Sequence, residues 1–153
     1  MLKNLNPLLT PELLYVLRAM GHGDELVLAD SNFPSDSTAA QTTHGSLIRL
    51  DGNTIPEAAD AILSVFPLDS FSEYPVLYMQ VVGQPDEELE VHTDLKKSVD
   101  NFSGRNWPMG SIERHAFYER ANQAYEVVST TERRPYGCFI LVKGVIGPDG
   151  NVV

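Results

Sequence analysis

Near the start of the chain, apolar side chains recur every three to four residues, which is the spacing of one face of an α-helix. The apolar positions of this segment are Leu13, Leu14, Val16, Leu17 and Met20. Thr10 precedes them as a residue type that caps helices, and Pro11 suits a first helical turn. Gly21 then supplies a helix stop. The pattern predicts a first helix between Thr10 and Gly21.

Further along, short runs rich in branched and aromatic residues alternate with segments of helical character. The short runs predict strands at residues 26–29, 46–50, 76–82, 125–130 and 138–142. The helical segments lie at residues 54–66 and 113–124. The first of them opens with Thr54 and Glu57, which match a capping box. Helices and strands that alternate without an internal repeat predict an α/β fold in a single domain over residues 1–153.

One long segment stays ambiguous. Residues 87–102 place acidic residues before basic ones, as a helix dipole prefers, but their apolar face is thin. Glycine, proline and small polar residues predict loops at residues 32–37 and 101–110 and a turn at residues 132–135.

Charge narrows the classes of partner. The 153 residues carry a formal net charge of −10, which repels the phosphates of nucleic acids and of anionic lipids. No apolar run approaches the ~20 residues of a membrane helix. We therefore expect neither nucleic acid nor membrane as a partner, whereas a neutral ligand such as a sugar is compatible with an acidic surface.

The cysteine and histidine content indicates the compartment and argues against a metal site. Cys138 is the single cysteine, so no internal disulfide forms, and the first residues lack a secretory signal pattern. We expect a cytoplasmic protein. Metal-ligand spacing is absent among the four histidines, which are His22, His44, His92 and His115. The sequence therefore signals no metal site.

The first candidate for chemistry is His22, which lies between Gly21 and Gly23 where a helix ends and a strand begins. Glycine on both sides permits a tight turn and close approach of a ligand, and imidazole exchanges protons near neutral pH. The alternative is a loop histidine that caps the preceding helix. Asp30 follows the predicted strand, at the kind of strand end where α/β proteins bind ligands, although an aspartate there is also common as a loop-initiating residue.

Two later segments add candidates. Arg114 and Tyr118 are four residues apart on a predicted helix, so they share a face and present a guanidinium and a phenol to one ligand. The alternative is a surface ladder of ion pairs with the neighbouring glutamates. Gly137, between Tyr136 and Cys138, permits close approach of the backbone to a ligand, or a bulge. Cys138 itself leads into an apolar strand and fits a buried apolar role better than that of a nucleophile.

These segments together resemble a known family. The N-terminal motifs are Leu2-Lys3, Pro7-Leu8, Pro11-Glu12-Leu13-Leu14, Gly21-His22-Gly23-Asp24-Glu25, Asp30 and Phe33-Pro34. The C-terminal motifs are Arg114, Phe117-Tyr118-Glu119-Arg120-Ala121 and Tyr136-Gly137. In this order they resemble the family of bacterial ribose pyranase and fucose mutarotase. The Phe-Tyr-Glu-Arg-Ala segment is similar to the fucose branch.

The resemblance implies a three-layer α/β/α fold and a cofactor-free enzyme that interconverts the anomers of a free monosaccharide, with L-fucose favoured. By match to the family motif, His22 is the catalytic acid. The residues that contact the sugar are Asp30, Arg114, Tyr136, Gly137 and Cys138, and Tyr118 joins them through its place one turn after Arg114. Bacterial members form rings, commonly decamers, with the pocket at or near a subunit interface, so a homo-oligomer is implied.

Two departures from the family are visible. The family usually carries asparagine where Cys138 stands, and residues 41–46 and 84–109 form longer segments than in the bacterial enzyme. For the reaction, we hypothesise that His22 serves the ring oxygen while Asp30 orients His22 or holds a sugar hydroxyl, with a tyrosine or water as the second proton carrier. The alternatives are a ribose pyranase, a non-catalytic sugar-binding module and a structural ring protein with a vestigial pocket.

Overall fold

A six-stranded mixed sheet forms the centre of the molecule. The computed structural model describes residues 2–103 and 106–153. The helices are α1 (Pro11–Ala19), α2 (Ser35–Ala39), α3 (Ile55–Leu63), α4 (Glu90–Ser103) and α5 (Arg114–Asn122). The strands are β1 (Glu25–Ala29), β2 (Ile48–Leu50), β3 (Val76–Met79), β4 (Met109–Ile112), β5 (Glu126–Thr130) and β6 (Phe139–Val142). Their order across the sheet is β2-β5-β1-β6-β3-β4.

The direction of β6 decides which residues meet at the edges of the sheet. β1 pairs in parallel with β5, β5 with β2, and β3 with β4. β6 lies between β1 and β3 and is antiparallel to both. Five strands therefore end at one edge of the sheet, and β6 begins at that same edge. We call it the carboxyl edge, and the opposite one the amino edge.

Apolar side chains cover both faces of the sheet. Along β1, Leu26 and Leu28 pack into a core with α1, α3 and α4, whereas Val27 and Ala29 pack into a second core with α2 and α5. This alternation is the period-two pattern of a strand buried on both faces. The result is a three-layer α/β/α arrangement, which confirms the predicted fold class. No helix in the described part of the chain is long and apolar enough to cross a membrane.

Helices α1 and α3 begin where the sequence predicts. Thr10 Oγ1 accepts a hydrogen bond from the Leu13 amide at 3.1 Å. The Thr54 amide donates to Glu57 Oε2 at 2.8 Å, as the capping box requires. In both cases side chains near the first turn satisfy backbone groups that the helix itself leaves unpaired.

The sequence prediction was wrong or incomplete in several places. The loop predicted at residues 32–37 contains the start of α2, which has only five residues and no side-chain cap, so no sequence signal marks it. Residues 87–102, left ambiguous, fall mostly within α4, whose buried Val91, Leu95 and Val99 recur every four residues. The loop predicted at residues 101–110 holds the end of α4 and the start of β4, while its residues 104 and 105 lie outside the described part.

β3 is shorter than the predicted strand at residues 76–82. The chain leaves the sheet after Met79 and turns back on itself, with a bridge between Val81 and Gln84 and Gly83 at φ +77°. A glycine with positive φ inside a tight turn ends the strand, although Val81 and Val82 have high strand propensity.

An ion-pair cluster ties the start of α4 to the turn before β6. Arg134 donates to Glu132 Oε2 and to Asp94 Oδ2, both at 2.8 Å. The hydrogen bonds from the Arg134 side chain are the main reason that the pKa of the nearly buried Glu132 falls from 4.5 to about 2. The same guanidinium lowers the pKa of Asp94. The turn that leads into β6 is thereby held against a helix.

Replacing Leu28 tests the two-sided core. Leu28 is fully buried in β1, so Leu28→Ala should lower the free energy of unfolding by about 2–5 kcal/mol through lost burial and a residual cavity. Leu2→Ala, at a residue that is 67% exposed, should change it by less than about 0.5 kcal/mol. Urea denaturation followed by circular dichroism at one protein concentration measures both. An equal loss of unfolding free energy in the two variants would contradict the assignment of Leu28 to the core.

The Glu132–Arg134 pair predicts a pH dependence of stability. Because the folded pKa of Glu132 lies below its ordinary value of 4.5, the pair stabilises the fold above pH 4.5, and this contribution is lost as the pH falls toward about 2. Glu132→Gln should therefore cost roughly 2–3 kcal/mol at pH 7, allowing for partial exposure of Arg134. The gap from the wild type should narrow at acid pH. The control is Glu87→Gln at an exposed position, and a gap independent of pH would refute the prediction.

Candidate functional site

A pocket at the carboxyl edge brings together side chains that are far apart in sequence. Its volume is about 260 Å³. The predicted site residues that line it are Asp30, Arg114, Tyr118, Tyr136 and Cys138, and its other lining residues are Asn32, Phe33, Met79 and Pro135. They come from the segments after β1, at the end of β3, in α5 and before β6. This is the edge at which α/β sheets bind ligands.

Asp30 connects two segments of the pocket wall. It is buried, and its Oδ1 accepts hydrogen bonds from the amides of Asn32 at 2.8 Å and Phe33 at 3.1 Å. Its Oδ2 accepts from the Gly137 amide at 3.0 Å. Asp30 thus does organise its own loop, which was the alternative to a ligand-binding role. It also fixes the segment before β6 at the pocket.

Arg114 lines the pocket and carries a donor that no group of the described residues satisfies. It is the first residue of α5, whose first amides are capped by the Glu113 carboxylate. Arg114 Nε is buried and has no hydrogen-bond partner within the described residues, and Arg114 makes no ion pair within 4 Å there. A buried donor without a partner is costly.

In the described part of the chain, α5 does not form the surface ladder of ion pairs that was the alternative for this segment. Arg120 pairs instead with Glu25 of β1, with both Glu25 oxygens 2.9 Å from Arg120 Nε. Phe117 is fully buried and meets the Phe33 ring edge-on, with centroids 5.9 Å apart. Arg114 and Tyr118 both line the pocket, as their shared helix face predicts.

The segment before β6 has an unusual backbone. Tyr136 has φ +62°, which is rare for a residue with a side chain, and its hydroxyl oxygen accepts from the Val82 amide at 3.3 Å. A Cβ on Gly137 would come within 3.3 Å of both Asp30 Cβ and Glu132 Cγ. The close approach that requires glycine here is therefore to the protein's own carboxylates. Burial raises the pKa of the Cys138 thiol, and the Asp30 charge adds to the shift, which disfavours a nucleophilic thiolate.

His22 lies at the amino edge, away from the pocket within one chain. β1 has five residues and spans roughly 17 Å between His22 and Asp30. The hypothesis that Asp30 orients His22 is therefore not met inside a single chain. The helix-capping alternative for His22 is wrong as well, because Lys143 Nζ donates to the Leu17 and Met20 carbonyls at the end of α1, both at 2.5 Å.

The partner of His22 is Asp69, which the sequence reasoning missed. His22 Nε2 lies 3.1 Å from Asp69 Oδ1, and Asp69 is buried while His22 is half-exposed. Burial favours the neutral acid, but hydrogen bonds from the Ser72 hydroxyl, the Phe71 amide and His22 outweigh it and lower the pKa of Asp69. Asp69 is followed by a small polar turn, a weak signal that does not point to position 22. The two residues form a hydrogen-bonded carboxylate–imidazole pair whose imidazole is half-exposed.

Comparisons with known proteins show which family the chain is similar to. The chain is 46% identical over 150 residues to the fucose mutarotase of Danio rerio, covering 97% of this chain and 96% of that protein. The structure of a fucose mutarotase in complex with L-fucose from Streptococcus pneumoniae is 38% identical, with a TM-score of 0.84 over 95% of this chain and all of that one.

A more distant likeness extends to Bacillus subtilis RbsD complexed with D-ribose, at 20% identity and a TM-score of 0.70, over 96% of this chain and all of that one; it shows a shared fold only. The resemblance seen in the sequence motifs is confirmed. Since residues 3–146 match the family described as the RbsD / FucU transport protein family, the chain belongs to that family.

Proposed function

We propose that this protein interconverts the α and β anomers of L-fucose by general acid–base catalysis, without a cofactor. The observation that carries the proposal is the pocket at the carboxyl edge. There the buried Asp30 carboxylate and the Arg114 side chain line one small cavity. The Danio rerio relative and the Streptococcus pneumoniae structure, both fucose mutarotases by name, support the same sugar.

The pocket suits a neutral, polyhydroxylated ligand. A sugar hydroxyl both donates and accepts, so one hydroxyl can accept from the Arg114 guanidinium while another donates to Asp30. Phe33 and Met79 supply apolar wall for the less polar face of the ring. The sugar is thereby bound and oriented at the carboxyl edge.

Anomer exchange needs two proton transfers and no change of oxidation state. The bond between the anomeric carbon and the ring oxygen breaks, the ring oxygen gains a proton, and the anomeric hydroxyl loses one. The open aldehyde then rotates and closes on its other face. General acid–base catalysis contributes about 10²–10⁴-fold to each such transfer. In our proposal His22 protonates the ring oxygen, and Asp69 orients His22.

The second proton carrier is a phenol of the pocket. Tyr136 has its hydroxyl oxygen engaged by the Val82 amide. Tyr118 lies one helical turn from Arg114 and lines the same cavity. We assign Tyr118 to relay the proton of the anomeric hydroxyl, its phenol accepting that proton as it passes its own to water.

The acid and the pocket come from different copies of the chain. In a homo-oligomer, His22 of one copy reaches the pocket of the next, because the two edges of one sheet are too far apart. Exposed apolar side chains near His22 support such a contact, namely Val65, Phe71 and Ile146. A ring is the natural product of one edge docking on the other, and a decamer is our specific expectation.

Two alternatives are less well supported. A ribose pyranase would use the same residues, but RbsD at 20% identity shares the fold alone, whereas a fucose mutarotase is 46% identical. A binding module would not accelerate anomer exchange. We place the protein in the cytoplasm, where its single cysteine stays reduced and the free sugar is accessible.

Removing the imidazole tests the acid. His22→Ala should slow the enzyme-catalysed exchange of L-fucose anomers by about 10²–10⁴-fold, the range of one general acid–base contribution. Saturation-transfer NMR measures the exchange rate directly. His115→Ala, at another exposed histidine, should retain the wild-type rate. Exchange by His22→Ala at the wild-type rate would overturn the assignment of His22, and no acceleration by the wild type would overturn the proposed function.

Mixing two inactive variants tests the shared site. His22→Ala lacks the acid and Arg114→Met lacks the sugar contact, so each alone should be inactive. Co-expressed in equal amounts, they should recover activity at roughly a quarter of the contacts between copies. At those contacts an intact His22 of one copy meets an intact pocket of the next. Mass spectrometry of the assembled oligomer verifies that both variants are present. Mixed oligomers without recovered exchange would refute a site built from two copies.

A further inference from the structure

His92 is a buried histidine that lies outside the sugar pocket. It belongs to the first turn of α4 and is 2% exposed. Its ring packs against Tyr78 at a centroid distance of 4.4 Å and meets Phe139 edge-on at 5.9 Å. Nothing in the proposed reaction uses its imidazole. A buried polar ring of this kind is expected to satisfy both of its nitrogen atoms.

The hydrogen bonds of His92 define where its proton lies. The Leu89 amide donates to His92 Nδ1 at 3.1 Å, so Nδ1 is an acceptor. The proton of the neutral ring is then on Nε2, which donates to the Tyr136 carbonyl at 3.1 Å. Burial lowers the pKa of His92 and outweighs the opposite effects of the Tyr136 carbonyl and Glu88. The neutral ring with one N–H is therefore the form that the site favours.

The carbonyl that His92 holds and the amide that Asp30 holds belong to the same peptide group. The Tyr136 carbonyl accepts from His92 Nε2, and the Gly137 amide donates to Asp30 Oδ2 at 3.0 Å. A peptide group is planar, so turning one end turns the other. Loss of the His92 bond therefore frees the peptide to rotate away from Asp30.

Tyr136 makes this restraint necessary. Its φ of +62° is a conformation that side-chain-bearing residues rarely adopt, and such backbone persists only when its surroundings hold it in place. The Arg134 cluster anchors the turn two residues earlier, and His92 anchors the peptide itself. Both anchors come from the first turns of α4.

We propose that His92 is a positioning residue for the sugar pocket, locking the Tyr136–Gly137 peptide so that its amide stays on Asp30 and its neighbours stay on the pocket wall. The consequence for catalysis rests on the proposed function. Because Asp30 binds the sugar while His22 carries the proton, loss of His92 weakens sugar binding more than it slows the proton transfers. A histidine with a packing role alone would not produce that split.

Two substitutions at position 92 separate hydrogen bonding from packing. His92→Phe fills the ring site without a donor, and His92→Gln keeps an amide donor near the place of Nε2. Thr93→Ala is the control on the same helical turn, since Thr93 bonds only locally, to the Glu90 carbonyl. Thermal unfolding of each variant checks that the chain is folded.

Hydrogen–deuterium exchange of the full chain, without any sugar, tests whether His92 holds the Tyr136–Gly137 peptide. Mass spectrometry measures the amide exchange rate in peptides that cover residues 131–139. His92→Phe should speed exchange in this segment by about tenfold, the scale of one lost hydrogen bond, whereas His92→Gln and Thr93→Ala should remain within about twofold of wild type. Equal exchange in His92→Phe and wild type would show that His92 does not hold the peptide. Equal acceleration in His92→Phe and His92→Gln would show that His92 contributes only packing.

Steady-state exchange of L-fucose anomers reads the catalytic consequence. His92→Phe should raise KM by about tenfold with kcat within about twofold, and His92→Gln should restore KM. A fall in kcat at unchanged KM would contradict positioning through Asp30. If the wild type does not accelerate anomer exchange, the proposed function fails, while the hydrogen-exchange measurement still decides the role of His92.

Discussion

The buried carboxylate of Asp30 is the interaction on which the pocket depends. It accepts amides from its own loop and from Gly137, more than a hundred residues later. This contact exists because β6 runs antiparallel between β1 and β3, so that its first residues lie where β1 ends. If β6 ran parallel to its neighbours, the segment before it would lie at the amino edge, and Asp30 would face a different loop.

The two edges of the sheet divide the chemistry between them. The carboxyl edge holds the pocket that we propose for the sugar, and the amino edge holds the His22–Asp69 pair that we propose as the acid. A rigid sheet keeps these groups apart within one chain. Assembly of copies is therefore part of the proposed chemistry, not an addition to it.

The α4 helix shows how a structural element far from the ligand shapes the pocket. Asp94 holds Arg134, and His92 holds the Tyr136 carbonyl, so two residues of one helix restrain the turn before β6. Both bonds compensate for a backbone conformation that Tyr136 would not adopt alone. Val91, Leu95 and Val99 pack α4 against the face of the sheet that also contacts α1 and α3. The core thereby fixes the geometry of the turn.

The sequence predicted α1, α3, α5 and the apolar strands, and its family resemblance implied the three layers and several of the pocket residues, because caps, periodicity and motif order are local or linear properties. Thr10 and Glu57 cap helices within a few residues of themselves, and apolar runs predict the strands of the core. Only the tertiary structure decided that His22 pairs with Asp69, that it lies opposite the pocket, and that His92 reaches Tyr136. Those contacts join residues 44 to 47 positions apart, across a sheet order and strand direction that no local pattern encodes.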